Sequence, residues 1–354
     1  MPLLAVPEGV PGMKRLSDDS ILPITLTMGE PAGIGPEITL KAWLACKEKP
    51  QPVFLVLGDP ELYRKTAAAL GLNVPVAEIA APEEAAGVFS TALPVLPVAL
   101  SENMVPGKVS VANAKAVLSS IDLASDLALE GRVSGVVTNP IQKSVLYAAG
   151  LNVPGHTEYL AARCGGATPV MMLSCPGLRV VPVTVHLSLK AAITALSTAS
   201  IVEQGIILAR ALSTDFGIEK PRIAVAALNP HAGEEGHLGR EEIEIITPAI
   251  AAISSKVQTA EIRGPSPADT LFHASARERY DAVLCMYHDQ ALIPLKTIDF
   301  ERGVNTTLGL PIVRTSPDHG TALDIAGLGK AHPASLIEAI RMAAEIAGHR
   351  ASAT

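Results

Sequence analysis

Three stretches of this 354-residue chain end in the same way. Residues 179–185 (RVVPVTV), 222–228 (RIAVAAL) and 281–287 (DAVLCMY) are short apolar runs. A histidine follows each one: His186, His231 after Asn229-Pro230, and His288. Such runs read as strands buried in a parallel sheet, and open parallel sheets bind ligands at the carboxyl ends of their strands. Neutral imidazole is a good ligand for zinc, cobalt and similar ions, and three protein ligands leave positions free for a substrate. A single histidine at a strand end is more often a hydrogen-bonded structural residue. Three in equivalent places favour a metal site, although spacing alone leaves their convergence open.

Other segments carry polar groups that suit an anionic ligand. GEPAGIGPEI (29–38) stands between a predicted strand and a predicted helix, where Gly33 and Gly35 allow close backbone approach and the helix N-terminus attracts anions. It lacks the third glycine of a dinucleotide fingerprint, so a plain tight turn fits equally well. NPHAGEEGHLG (229–239) packs His231 and His237 among glycines and acids, with His237 read as a loop residue. After His288 come Lys296, Asn305 and Arg314 in a glycine-rich, apolar setting. Arg314 can grip a phosphate or carboxylate with two prongs, and Lys296 can act as a point charge or proton carrier. GHTEY (155–159) offers His156 and Thr157 for a phosphate; alternatively Thr157 only caps the following helix.

These side chains must be positioned by alternating strands and amphipathic helices, the pattern of an α/β protein. Residues 22–28, 52–58 and 134–140 read as strands. Helices are expected from the glycine turn to about residue 46, and over 111–132, 189–216 and 241–253. The length suits two lobes. No clustered basic patch accompanies the net charge of −7, which argues against nucleic acid as a partner. The four cysteines are scattered, as expected of buried reduced thiols in a cytoplasmic protein. No apolar run is long enough for a membrane span. Residues 1–20 read as an unstructured leader, and Met13 is an alternative start.

The motifs TMGEPAGIGPEI, VTNPIQK, PGHTEYLA, LNPHAGEEGHLG, GPSPADTLF, MYHDQALIPLK and GVNTTLGLPIVRTSPDHGTALDIAG together are highly specific. On them, residues 23–348 resemble the 4-hydroxythreonine-4-phosphate dehydrogenase family of vitamin B6 biosynthesis. A more distant similarity runs to the isocitrate and isopropylmalate dehydrogenases, which share a glycine-rich turn and an HG-x-A-x-DIAG loop. The resemblance implies two α/β lobes with a mixed or parallel sheet: residues 21–135 plus 300–354 on the NAD side, and 136–299 for metal binding and dimerisation. It implies a homodimer in which each subunit completes the other's pocket.

By the same resemblance, His186, His231 and His288 match ligands of one divalent metal (zinc, cobalt or magnesium). His156, Thr157, Lys296, Asn305 and Arg314 match substrate-binding positions. Lys296, Asp269 and Asp289 fall near the reacting centre. Gly33, Gly35, His319, Gly320, Thr321 and Asp324 lie in the loops expected to hold NAD or NADP. The implied reaction is oxidation of 4-phosphooxy-L-threonine at C3, followed by decarboxylation to 3-amino-2-oxopropyl phosphate. Rival readings are oxidation of D-threonate or D-erythronate 4-phosphate within the same family, phosphate acyl transfer, which needs no metal triad, and a non-catalytic binding module.

Overall fold

The apolar runs do become strands. The computed structural model describes residues 22–47, 52–150 and 155–353, so the leader expected over 1–20 lies outside the described residues. In chain order the strands are β1 (Ile24–Thr27), β2 (Phe54–Gly58), β3 (Val76–Glu78), β4 (Leu93–Pro97), β5 (Gly135–Thr138) and β6 (Val170–Cys175). They continue with β7 (Leu178–Thr184), β8 (Arg222–Ala226), β9 (Glu261–Ser266), β10 (Ala282–Tyr287), β11 (Val304–Leu308) and β12 (Arg314–Pro317). All join one sheet in the order β3-β4-β2-β1-β5-β12-β11-β6-β7-β10-β8-β9.

Strands β3, β4, β2, β1, β5 and β12 run parallel. β11 is antiparallel to both β12 and β6, and β6 is antiparallel to β7. From β7 outward, β10, β8 and β9 are parallel again. The reversals between β12 and β7 leave the two parallel halves running in opposite directions. Their ligand-binding edges therefore sit at opposite ends of the sheet. The glycine turn and Asn139 follow β1 and β5 at one edge; His186, His231 and His288 follow β7, β8 and β10 at the other.

Helices cover both faces. The C-terminal helix Ala334–Ser352 presents Leu336, Ala339, Ile340, Ala343 and Ile346 at helical spacing and packs on β12, β5 and β11. Fully burying one such Leu or Ile stabilises by about 1.5–3 kcal/mol. Near its end, Arg350 grips Asp215 with two prongs, at 2.8 and 2.9 Å, and so fastens the helix to Thr198–Thr214 in the other half. The lobe boundary expected after residue 135 falls inside β5. Val136, Val145, Leu146, Leu160 and Ala161 share a core with Leu55, Leu57 and Ile121, so packing carries the first half on through these residues.

The single helix expected over 189–216 is two helices, Leu189–Ala195 and Thr198–Thr214, bent by 88°. Ser197 accepts the Ser200 N–H while Ser200 Oγ accepts the Ser197 N–H. This reciprocal cap restarts the helix within an otherwise continuous apolar pattern. The helix expected over 241–253 begins with a wide π turn at Glu242–Ile246 before Thr247–Lys256. Cys46, Cys175 and Cys285 are buried, Cys164 is partly so, and none is disulfide-bonded; burial pushes all four thiols up. No single helix among the described residues is long and apolar enough to cross a membrane.

Candidate active site

At the histidine edge, neighbouring β7 and β10 bring His186 and His288 together. Their ring centroids are 6.0 Å apart and the rings are tilted by 43°. Thr184 donates its hydroxyl to the Met286 carbonyl at 2.9 Å. Gln290 accepts the Met286 N–H and donates to the Ala227 carbonyl, both at 2.7 Å. These bonds lace the ends of β7, β10 and β8 together. His288 Nδ1 lies 2.7 Å from Asp289 Oδ1. A carboxylate on one ring nitrogen fixes the tautomer and leaves the other nitrogen as a lone-pair donor.

His231 begins a left-handed turn in which residues 231–235 have φ of 52, 54, 77, 41 and 58°. L-residues other than glycine adopt this conformation at an energetic penalty, and Glu242 holds it in place. That buried carboxylate accepts the N–H groups of Leu228 at 2.8 Å and Asn229 at 2.7 Å, and Asn229 Nδ2 at 2.9 Å. Gly233 is required here, because a Cβ would lie 2.7 Å from Glu242 Oε2. Among the described residues no three His, Cys, Asp or Glu side chains are close enough to hold a metal ion. The pair of imidazoles with its orienting carboxylate suits a divalent ion in kind. The third imidazole is not gathered with them.

At the opposite edge the structure centres on Arg314, which is 4% exposed. Its Nη1 donates to Thr307 Oγ1 at 2.8 Å and its Nη2 to Thr138 Oγ1 at 2.7 Å. Burial pulls the guanidinium down to about 10, against a smaller opposing effect of Glu158. His156, first residue of the helix His156–Arg163, is pulled down to about 3 by burial, then by the charges of Arg314 and Lys143. Arg314 Nε, His156 Nε2, Asn305 Oδ1, Asn139 Oδ1 and His319 Nε2 are buried without a hydrogen-bond partner among the described residues. Native domains leave few such atoms. Asn305 lies two residues before Thr307 on β11 and so shares its face, and His156 lies within electrostatic range of the guanidinium, whereas Asn139 is held in the glycine turn by Thr27 and Thr39 and His319 lies beside Asp318 and Lys296. The arrangement offers donors and acceptors to a polar, anionic ligand.

Lys296 belongs to this second edge. Its Nζ is 3.2 Å from Asp318 Oδ2 and 5.5 Å from the centroid of the Phe300 ring. It sits in the last turn of the helix His288–Ile298, about 12 Å of axis from His288. Next to Asp318, His319 is pulled down, chiefly by burial. The loop after it meets the glycine turn: Ile34 N–H donates to the Thr321 carbonyl at 3.0 Å, and a Cβ on Gly33 would lie 2.8 Å from that oxygen. A Cβ on Gly35 would approach the Met28 carbonyl at 3.2 Å. Close packing within the chain thus accounts for both glycines, the tight-turn alternative. Thr321 Oγ1 also donates to Gln142 Oε1 at 3.0 Å.

His156, Thr157, Asn305, Arg314, Lys296, His319 and Thr321 therefore gather at one edge, and His186, His288 and Asp289 at the other. Asp269 is exposed on the short turn Ala268–Thr270, which packs against the His231 turn. Gly320 and Asp324 are exposed. Thr138, Thr307, Asp318 and Lys143 were not singled out from sequence. Thr138 and Lys143 fall within VTNPIQK and Asp318 within TSPDHG, so the signal lay in motifs to which no residue role had been attached. Glu30, in the glycine turn, is buried and accepts the Ala32 N–H at 3.1 Å; burial raises its carboxyl.

The sequence matches the family described as pyridoxal phosphate biosynthetic protein PdxA over residues 49–343. It is 52% identical, over 334 residues covering 93% of this chain and 98% of the relative, to the 4-hydroxythreonine-4-phosphate dehydrogenase of Caulobacter vibrioides. The fold is similar to the crystal structure of the enzyme of that name from Klebsiella pneumoniae, with a TM-score of 0.83 and 39% identity over 92% of this chain and 99% of that one. A terephthalate 1,2-cis-dihydrodiol dehydrogenase from Burkholderia xenovorans is similar at a TM-score of 0.62 and 28% identity, over 92% and 98% of the two chains. The two-edged α/β sheet, the guanidinium pocket on β12 and the histidines after β7, β8 and β10 are thus features of a chain that belongs to the PdxA family of pyridoxal phosphate biosynthetic proteins.

Proposed function

We propose that this chain is an NAD-dependent dehydrogenase that oxidises 4-phosphooxy-L-threonine at C3 and releases carbon dioxide to give 3-amino-2-oxopropyl phosphate. The observation that carries this reading is the buried pocket around Arg314, with its unpartnered polar atoms. A phosphate oxygen can accept from Arg314 Nε and, in the matching tautomer, from His156 Nε2, while Asn305 addresses the amino acid part. A guanidinium is well suited to a phosphate, and a neutral imidazole beside it adds a donor without repulsion.

The active unit is a homodimer with shared sites. In one chain the histidine edge and the Arg314 pocket stand at opposite ends of the sheet, so a pocket holding both needs a second subunit. Exposed apolar side chains flank the histidine edge and fit burial against a partner: Leu187 and Leu189 after His186, Leu238 after the His231 turn, and Ile293 on the helix after His288. His186 and His288 would hold a divalent ion, and His231, which is not gathered with them in the single chain, is the third ligand that the family resemblance implies. When bound, such an ion polarises a substrate hydroxyl and lowers its pKa. Asp289, already bonded to His288, orients that ring. Lys296, paired with Asp318 and favoured over Asp269 and Asp289 for this role, would accept the hydroxyl proton as the neutral amine, after its ammonium form has released a proton to solvent. Residues 319–324, which pack on the glycine turn, would hold NAD, and that cofactor would supply the hydride acceptor for C3. The resulting β-keto acid then loses its carboxylate as carbon dioxide.

The test is NADH formation by the purified protein with 4-phosphooxy-L-threonine and with D-threonate and D-erythronate 4-phosphates, before and after chelation. Preference for the amino acid phosphate, lost on chelation and restored by zinc, cobalt or magnesium, is the expected result. Preference for a sugar acid phosphate would move the activity within the family, and chelator-insensitive turnover would remove the metal.

A further inference from the structure

Lys143 is the first residue of the helix Lys143–Ala148, directly after the segment that follows β5. Its ammonium lies against Gly155, where a Cβ would be 3.6 Å from Nζ, and its charge helps to hold His156 neutral. Gly155 is the N-cap of the helix His156–Arg163 and provides no side-chain cap. The ammonium thus stands beside the N-terminus of that helix, and His156, whose Nε2 is buried without a partner among the described residues, lies within electrostatic range of both Lys143 and Arg314. An anion at a helix N-terminus is favoured by the free N–H groups and the helix dipole.

We propose that Lys143 is a second cationic binding residue for the substrate's phosphate, acting with Arg314 across His156; this rests on the phosphorylated-substrate reading above. Charge is the deciding consideration. Glu158 also borders Gly155, and its carboxylate acts on Arg314. With His156 neutral, Arg314 and Glu158 cancel, and only Lys143 makes this part of the pocket net positive. Among the described residues Lys143 makes no ion pair, so its charge is available to a ligand. A phosphate carries between one and two negative charges near neutral pH, with a second pKa of about 6. Lys143 thus adds net positive charge to a pocket in which Arg314 already offers a donor to the phosphate.

The experiment measures binding of inorganic phosphate by calorimetry, and steady-state kinetics with 4-phosphooxy-L-threonine, for wild type, Lys143→Ala, Lys143→Arg and Glu158→Gln. Hydrogen bonds to charged groups contribute about 1.5–3 kcal/mol, equivalent to roughly 10- to 150-fold in affinity. Lys143→Ala should weaken phosphate binding and raise KM by a factor in that range, Lys143→Arg should recover most of it, and Glu158→Gln should tighten phosphate binding. Lys143 is exposed and caps no buried group, and thermal melts verify that each variant is folded. Unchanged phosphate affinity in Lys143→Ala, or no phosphate binding by the wild type, overturns the proposal. If the wild type binds phosphate through Lys143 but oxidises none of the phosphorylated substrates, the proposed reaction fails while this assignment stands. If it oxidises the amino acid phosphate and Lys143→Ala keeps its KM, the reverse holds.

Discussion

The two edges of the sheet are built differently. The Arg314 pocket is finished within one chain: a buried guanidinium held by two threonine hydroxyls, with imidazole and amide groups fixed on strands and a helix around it. The histidine edge is exposed and incomplete. Two rings face each other 6.0 Å apart, while the third sits on a left-handed turn pinned by Glu242. A pocket for a permanent negative charge benefits from being dry and rigid, since desolvated donors bind more strongly. On the proposed reading, the histidine edge would be completed only on association of two subunits.

The sharpest way to break this contrast is complementation. His186→Ala and Arg314→Ala should each be nearly inactive alone. Co-expressed, they should recover about a quarter of wild-type activity, because half the dimers are mixed and each mixed dimer has one intact shared site. Continued inactivity of the mixture would place the whole site within one chain.

His186→Ala should lose its metal, as measured by elemental analysis, with activity falling by more than the roughly 10- to 100-fold typical of losing an outer-sphere partner. Full metal retention would remove the histidine edge as the metal centre. Arg314→Lys should raise KM for the phosphorylated substrate about 10- to 100-fold, since a point charge cannot replace the planar fork. Its metal content should match wild type, which would separate the functions of the two edges.

Asp289→Asn should weaken metal binding by about 10-fold with little change in phosphate affinity. The smallest expected effect is on stability in acid. Burial holds His156 down to about 3 in the folded chain, against the ordinary imidazole value of 6.5 when unfolded. The unfolded chain therefore binds the extra proton first. This contribution to stability is complete above pH 6.5 and is lost as pH falls toward about 3. His156→Gln should lose melting temperature less steeply than wild type on acidification; parallel curves would mean that His156 is not held neutral.

Much of the fold was legible because strands buried on both faces are rich in apolar and β-branched residues: β1, β2, β5, β7, β8 and β10 follow from that pattern. The polar strands β11 (VNTTL) and β12 (RTSP) were not predicted. Two of their buried hydroxyls find partners from elsewhere in the fold: Thr315 donates to the Ala339 carbonyl at 2.7 Å and Thr307 accepts from Arg314. The break after Ala195 was hidden for a similar reason. Apolar periodicity continues through Ser197, and only the serine pair reveals the restart.

By itself, the sequence determined the family, the class of fold and the identities of the chemically competent residues, because motif, strand pattern and side-chain type are properties of the chain read in order. Where those residues meet was decided by tertiary structure alone. The direction of a strand in a sheet depends on its neighbours, and three antiparallel pairings in the middle of this one send the two sets of strand ends to opposite edges. His288 and Lys296 are eight positions apart in sequence, yet the single helix that joins them carries one to each edge.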